Sequence, residues 1–279
     1  MAEPIIPITK PATTAPVKAV EAPKSSQPTE TVALPSKGRF YPASSPLARG
    51  TLEIYTVTAR HEDILSNASL LKKGTVLDEF LKAIIATPNV SINDLLIGDK
   101  NALFIAARIS AYGNMYSTKI KCPECGVESV VDIDLSKLGV KEIDWSGIAI
   151  TSDNHLNFTL PGTGKVITFS LLTHKDDTDI DQELKALAKF NAGATSPEVT
   201  TRLKYTIKAV DGNTDRTKIK ELVDEQLKAI DSLALRKYIR DHTPDVDMNF
   251  EFTCPACGHQ AKLTVPLGAN FFWPNITES

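Results

Sequence analysis

Two short segments of this chain have the residue types and spacing to hold a metal ion: Cys122-Pro-Glu-Cys125-Gly126 and Cys254-Pro-Ala-Cys257-Gly258. A two-residue spacer lets both sulfurs of a pair reach one cation, and two such pairs make the tetrahedral four-thiolate set that Zn2+ prefers. Glycine after the second cysteine permits a positive φ, which turns the chain back beneath the ion. The same short pattern occurs twice with similar flanks. The expectation is one closed, structural zinc site formed by Cys122, Cys125, Cys254 and Cys257.

Competing readings of the cysteines are thiol redox chemistry, two separate metal sites completed by His155 or His259, unliganded thiols, and a catalytic zinc. A redox Cys-Pro-x-Cys normally opens a helix after a strand. Here the residues that follow each pair alternate as strands. A catalytic zinc needs an open coordination position, and four thiolates leave none. No His-Glu-x-x-His, Gly-x-Ser-x-Gly or Walker-type loop accompanies the cysteines. Gly162-Thr-Gly164-Lys165 reads as a hairpin turn, and the acidic run Asp176, Asp177, Asp179 and Asp181 as a helix start. No residue is assigned a catalytic role.

Each cysteine pair must sit at a hairpin tip. Met115 to Lys121 and Glu128 to Leu135 flank the first pair, with Val131, Ile133 and Leu135 on one face. Met248, Phe250 and Phe252 alternate before the second, and Ala261, Leu263 and Val265 after it. This is a zinc-ribbon plan split in two. Roughly 130 residues separate the halves, against about 15–20 in an ordinary ribbon. The entropic cost of closing a loop grows only logarithmically with length, while structural zinc contributes on the order of 10–16 kcal/mol. The split arrangement is therefore feasible.

Residues 140–245 then read as an insertion between the ribbon halves. Leu156–Leu160 and Val166–Leu172 form its hairpin, and helical periodicity runs from Thr178 to Leu235 with breaks near Gly193 and Asp211. Before the first ribbon half come a strand at Thr51–Thr58 and a helix at His61–Leu71. A second helix follows from Thr75 to its stop before Pro88, and a third is capped by Asp99 and ends at Gly113. Arg108 lies among apolar neighbours in that third helix and reads as a satisfied structural cation. Residues 1–33 hold six of the chain's 17 prolines among Ala, Thr, Lys, Ser and Glu, a composition that cannot offset its ordering entropy. They read as a disordered arm, followed by an α+β domain over 34–279.

The chain has 42% hydrophobic and 23% charged residues and a net charge of -3, ordinary for a globular protein. No apolar run reaches the roughly 20 residues that span a bilayer, and the start lacks the pattern of a secretory signal. A reducing compartment is the expected setting, where paired cysteines bind metal rather than each other. Glu124, Glu128, Asp132, Asp134 and Glu251 surround the tips, which argues against the rival role of such ribbons, nucleic-acid binding.

Several segments together resemble the baseplate hub and assembly proteins of contractile-tailed, T-even-like bacteriophages. They are Leu34-Pro-Ser-Lys-Gly-Arg-Phe-Tyr-Pro42, Thr58-Ala-Arg-His-Glu-Asp-Ile-Leu65, Leu95-Leu-Ile-Gly-Asp99, Arg108-Ile-Ser-Ala-Tyr-Gly113, the two Cys-Pro-x-Cys pairs and Phe271-Phe-Trp-Pro274. The resemblance runs from residue 34 onward and does not include the proline-rich arm. It implies a non-enzymatic component of the virion tail baseplate, assembled in the host cytoplasm, that binds other tail proteins in an oligomeric assembly. On this reading Phe40, Tyr41, Phe271, Phe272 and Trp273 are candidate partner-binding residues; from the residues alone, Phe271, Phe272 and Trp273 are either tucked into the core or offered to a partner.

Overall fold

The computed structural model describes residues 27–190, 196–267 and 269–272. Strand β1 (Thr29–Ala33) pairs antiparallel with β2 (Thr51–Tyr55), Val32 opposite Leu52. Residues 29–33, which the composition assigns to the arm, form this strand. Thr29, Thr31 and Val32 are good strand formers with a ready partner edge in β2. Residues 1–26 of the arm lie outside the described residues.

Helices α1 (Ala59–Leu65) and α2 (Ala68–Lys73) replace the single helix expected there. Asn67 divides them, because its side-chain oxygen accepts from the N–H groups of Ser69 and Leu70 and starts a new helix. Helix α3 (Val76–Ile84) buries Val76, Phe80, Leu81 and Ile84 along one stripe. Helix α4 (Ile97–Tyr112) then runs through the core and ends at Gly113 with φ 80°.

Asp99 does not cap α4, which starts two residues before it. Its fully buried carboxylate accepts from the Ser36 N–H at 2.9 Å, the Ser36 hydroxyl at 2.6 Å and the Tyr41 hydroxyl at 2.6 Å. Tyr41 in turn accepts the Leu96 N–H at 2.9 Å. This network folds the Leu34–Pro42 segment onto α4 and buries Phe40 and Tyr41. Those two rings are core residues, not the exposed docking residues expected from the resemblance.

The closing aromatics meet the same outcome. Phe271 and Phe272 are each 1% exposed. Phe272 packs on Phe80 and Phe104 with centroids at 4.9 and 5.8 Å, and Phe271 on Tyr116 at 5.0 Å. Arg108 fixes that end of the chain. It donates to the carbonyls of Phe271, Gly113 and Met115 at 2.9, 3.3 and 3.3 Å, and lies over the rings of Tyr112 and Tyr116. Burying these rings gains more than leaving them exposed, and of the two places open to Phe271 and Phe272 from sequence, core or partner face, this structure gives them the core. Trp273 lies outside the described residues.

After α4 come β3 (Met115–Lys121) and β4 (Glu128–Asp134), an antiparallel hairpin. Strands β5 (Leu156–Thr159) and β6 (Val166–Phe169) form the next one. Helices α5 (His174–Phe190) and α6 (Glu198–Thr206) lead into β7 (Ile207–Val210), which pairs with β6. Helical periodicity alone runs on through β7, since four residues directly after a helix carry little alternation of their own. Helix α7 (Arg216–Glu221) runs into a single π turn, Leu222–Gln226, and α8 (Ala229–Asp241) follows. Strands β8 (Asn249–Thr253) and β9 (Gln260–Thr264) complete the described sheets.

Helix α4 positions both ribbon halves. Its C-terminal end launches β3. At its N-terminal end Gly98 lies so close to Pro244 and Asp245 that any Cβ would collide with the Pro244 carbonyl, and Asn101 donates to Asp245 at 3.1 Å. Just beyond, the chain entering the 140–245 segment pairs with the chain leaving it. Lys141 N–H donates to Asp245, and Asp247 N–H to Gly139, at 2.9 and 2.8 Å. The segment is packed on the body through buried His174, whose Nε2 lies 3.2 Å from Asp78 and Nδ1 3.0 Å from Lys100.

Arg108→Ala strands three carbonyls beneath the closing aromatics, and Phe271→Ala opens a cavity there. Each is expected to destabilise the fold by about 3 kcal/mol in urea denaturation. Truncation before Phe271 is expected to cost more than either substitution. Unchanged midpoints would show that this end of the chain does not belong to the core.

Candidate metal centre

The two tips are near copies of one another. In the first, Cys122 N–H donates to Val127 and Gly126 N–H to Cys122, at 2.9 and 3.0 Å. In the second, Cys254 N–H donates to His259 and Gly258 N–H to Cys254, at 2.8 and 2.9 Å. Gly126 and Gly258 have φ 74° and 72°, the left-handed region that glycine enters without strain. Each turn folds its second cysteine back over its first.

The strands hold the tips apart in sequence and together in space. β3–β4 and β8–β9 are separate two-stranded sheets, with no ladder between them. Side chains alone join them near the tips. Buried Cys122, Cys254 and Phe252 form a small cluster, surrounded by Ile120, Val131, Phe250, Ala261 and Leu263. A two-stranded hairpin is marginal by itself in water, and this satellite cluster is small. Phe252 is the member that the cysteine pattern did not single out, although its place in the strand alternation pointed inward.

All four sulfurs lie within 4.8 Å of one another. The Cys122 and Cys257 sulfurs are 3.8 Å apart, and those of Cys125 and Cys254 are 3.7 Å apart. A tetrahedron with Zn–S bonds of about 2.3 Å has edges of about 3.8 Å. Those two edges match such a tetrahedron, and four thiol ligands suit a metal ion such as Zn2+. None of the cysteines is in a disulfide. The first cysteine of each pair is buried and the second exposed. Of the other metal-site readings, neither His155 nor His259 joins the sulfur cluster, the sole group of this kind among the described residues.

The electrostatics point the same way. The backbone N–H groups of Cys257 and Ala256, aimed at the Cys254 sulfur, pull its thiol down to about 7. The N–H groups of Cys125 and Glu124 likewise lower Cys122. Cys257 goes the other way, to about 12. The His259 N–H alone would lower it, but the sulfurs of Cys125, Cys254 and Cys122 around it outweigh that effect. Thiolates this close repel one another until a cation sits between them. In a closed four-thiolate tetrahedron the metal ties chain segments and leaves no coordination position for a substrate.

The acidic run forms no comparable site. Asp176 accepts from the Thr173 N–H and hydroxyl at 2.9 and 2.8 Å, and Asp177 pairs with Arg202 at 3.1 Å. No helix among the described residues is long and apolar enough to cross a membrane.

What fold and site define is an α+β protein whose two remote hairpins converge on a four-cysteine cluster that could hold a metal ion. Residues 28–273 match the family model described as T4 bacteriophage base plate protein, and the chain belongs to that family. No curated protein and no solved structure matches it. The family points to a structural role in the phage tail baseplate.

Replacing Cys125 or Cys257 with serine is expected to lower bound metal well below one ion per chain. Amide exchange should then accelerate across 115–134 and 249–264, with the α3–α4 core still protected. Metal release should accompany falling pH and reverse on neutralisation, because protons compete with the ion for the same sulfurs. Equal exchange rates with and without the substitution would refute a stabilising role for the cluster.

Proposed function

We propose that this chain is a structural or assembly component of the hub region of a contractile phage tail baseplate, and that it binds other tail proteins there. The family match across residues 28–273 is the observation that supports this reading most strongly. One Zn2+ on Cys122, Cys125, Cys254 and Cys257 serves the role by stapling chain segments 129 positions apart. A baseplate part must hold its shape against its neighbours while the tail contracts. A metal tie between hairpins with no shared ladder resists their separation. The protein folds and takes up its metal in the host cytoplasm, then resides in the tail.

Its contacts with neighbours fall on surfaces other than Phe40, Tyr41, Phe271 and Phe272, which the fold has already buried. Glu124, Glu128, Asp132 and Glu251 give the tips an acidic border, which disfavours a nucleic-acid partner.

The test is genetic and structural. Deleting the gene should leave baseplates incomplete and tails unassembled, and Cys257→Ser should reproduce the defect in part. Cross-linking of purified baseplates should join this chain to central tail proteins. Normal tails without the protein, or a salt-dependent complex with DNA in a gel shift, would overturn the assignment.

A further inference from the structure

A cleft of about 690 Å3 opens beside α1, at the point where the described chain begins. Gln27 forms its lip, where its side-chain amide donates to the Thr56 carbonyl at 3.2 Å. Half-buried Tyr55, Ile64 and Leu70 give the cleft an apolar lining. Arg60 and Asp63 stand exposed along it. They are three positions apart on α1, so they share a side. Among the described residues neither has an ion-pair partner. An apolar lining beside one unpaired cation and one unpaired anion suits an occupant with apolar residues and one charge of each sign.

The chain carries such a segment just before this lip. Ahead of Gln27, prolines stand at positions 4, 7, 11, 16 and 23. The longest interval between them is Val17-Lys-Ala-Val-Glu-Ala22, with two valines, one lysine and one glutamate. Pro23 steers Ala22 away from the helical region, and polyproline II is the form that proline-rich segments bring to aromatic-lined grooves. That helix has three residues per turn. Val17 and Val20 then share one edge, and Lys18 and Glu21 share the next.

We propose that Val17–Ala22 docks in this cleft of its own chain, with Val17 and Val20 against Tyr55, Ile64 and Leu70, Glu21 at Arg60 and Lys18 at Asp63. The order of charges agrees. Gln27 is bonded to Thr56, just ahead of α1, so Glu21, the nearer charge to Gln27, meets Arg60, the nearer charge to the helix start. Six residue steps separate Glu21 from Gln27, up to about 20 Å of extended chain, enough to reach along a cleft of this size. The contact is small and its ion pairs are exposed, so each adds little. A short tether compensates, because it holds the segment at an effective concentration in the millimolar range. The arm of a second copy competes only at comparable concentrations. Docked in this way the segment straps the joint between α1 and α2, where Asn67 also lines the cleft. This inference does not depend on the baseplate reading.

Zero-length carbodiimide cross-linking of the dilute full chain tests it, since this reagent joins an amine only to a carboxylate already in contact. Peptide mapping of the monomer should find an amide between Lys18 and Asp63. Val20→Asp sets a charge against the apolar lining and should lower that product about tenfold or more. Amide exchange across 59–73 should quicken in the same variant. Arg60→Glu should lower the product several-fold, and the double variant Glu21→Lys/Arg60→Glu should restore it. Val20 and Glu21 belong to the arm and Arg60 is exposed, and unchanged circular dichroism confirms that each variant folds. A monomer without the Lys18–Asp63 link would overturn the proposal. So would a link indifferent to Val20→Asp, or one found only in cross-linked dimers, which would assign the cleft to the arm of a second copy.

Discussion

Four sulfur atoms within 4.8 Å of one another cannot all ionise unless a cation joins them. The rest of the ribbon depends on that constraint. Among the described residues the hairpins β3–β4 and β8–β9 share no backbone ladder, and the buried cluster at their tips consists of Cys122, Phe252 and Cys254. Relative to an ordinary ribbon, the long connection adds about 2 kcal/mol of closure entropy by the logarithmic rule. The on-the-order-of 10–16 kcal/mol available from structural zinc exceeds that comfortably. Much of the closure is also borne by the body. Gly98 against Pro244 and the Val140–Val246 bridge return the chain to α4 before β8 begins.

The body has its own tie at each end of α4. Asp99 gathers Ser36 and Tyr41 near the helix start, and Arg108 gathers Phe271, Gly113 and Met115 near its end. Both are buried charges, and both are satisfied by hydrogen bonds rather than by opposite charges. Burial lowers the readiness of Arg108 to stay charged, and three carbonyl acceptors with two tyrosine rings answer that penalty. The two ties hold segments from opposite ends of the described chain against one helix. That helix in turn launches β3 and receives the segment before β8.

The cysteine site was legible because its chemistry is local. Ligand type, two-residue spacing, the following glycine and flanking alternation are all written within a dozen residues of each tip. Both ribbon hairpins accordingly appear within a residue of the expected strands. Strand β7 was not legible, since its four residues gain their identity from pairing with β6 rather than from their own pattern. Asp99 was misplaced for a similar reason. A carboxylate near a helix start looks like a cap, and only the fold reveals Ser36 and Tyr41 as its partners. The aromatics at Phe40, Tyr41, Phe271 and Phe272 carry no sign in sequence of which side of the surface they occupy. Burial against α3 and α4 decides it.

X-ray absorption at the zinc edge, on protein purified without added metal, addresses the central claim most directly. The account predicts one zinc per chain with a shell of four sulfurs at about 2.3 Å. Protein that retains its fold with no bound metal, or a shell containing nitrogen or oxygen in place of sulfur, would contradict it.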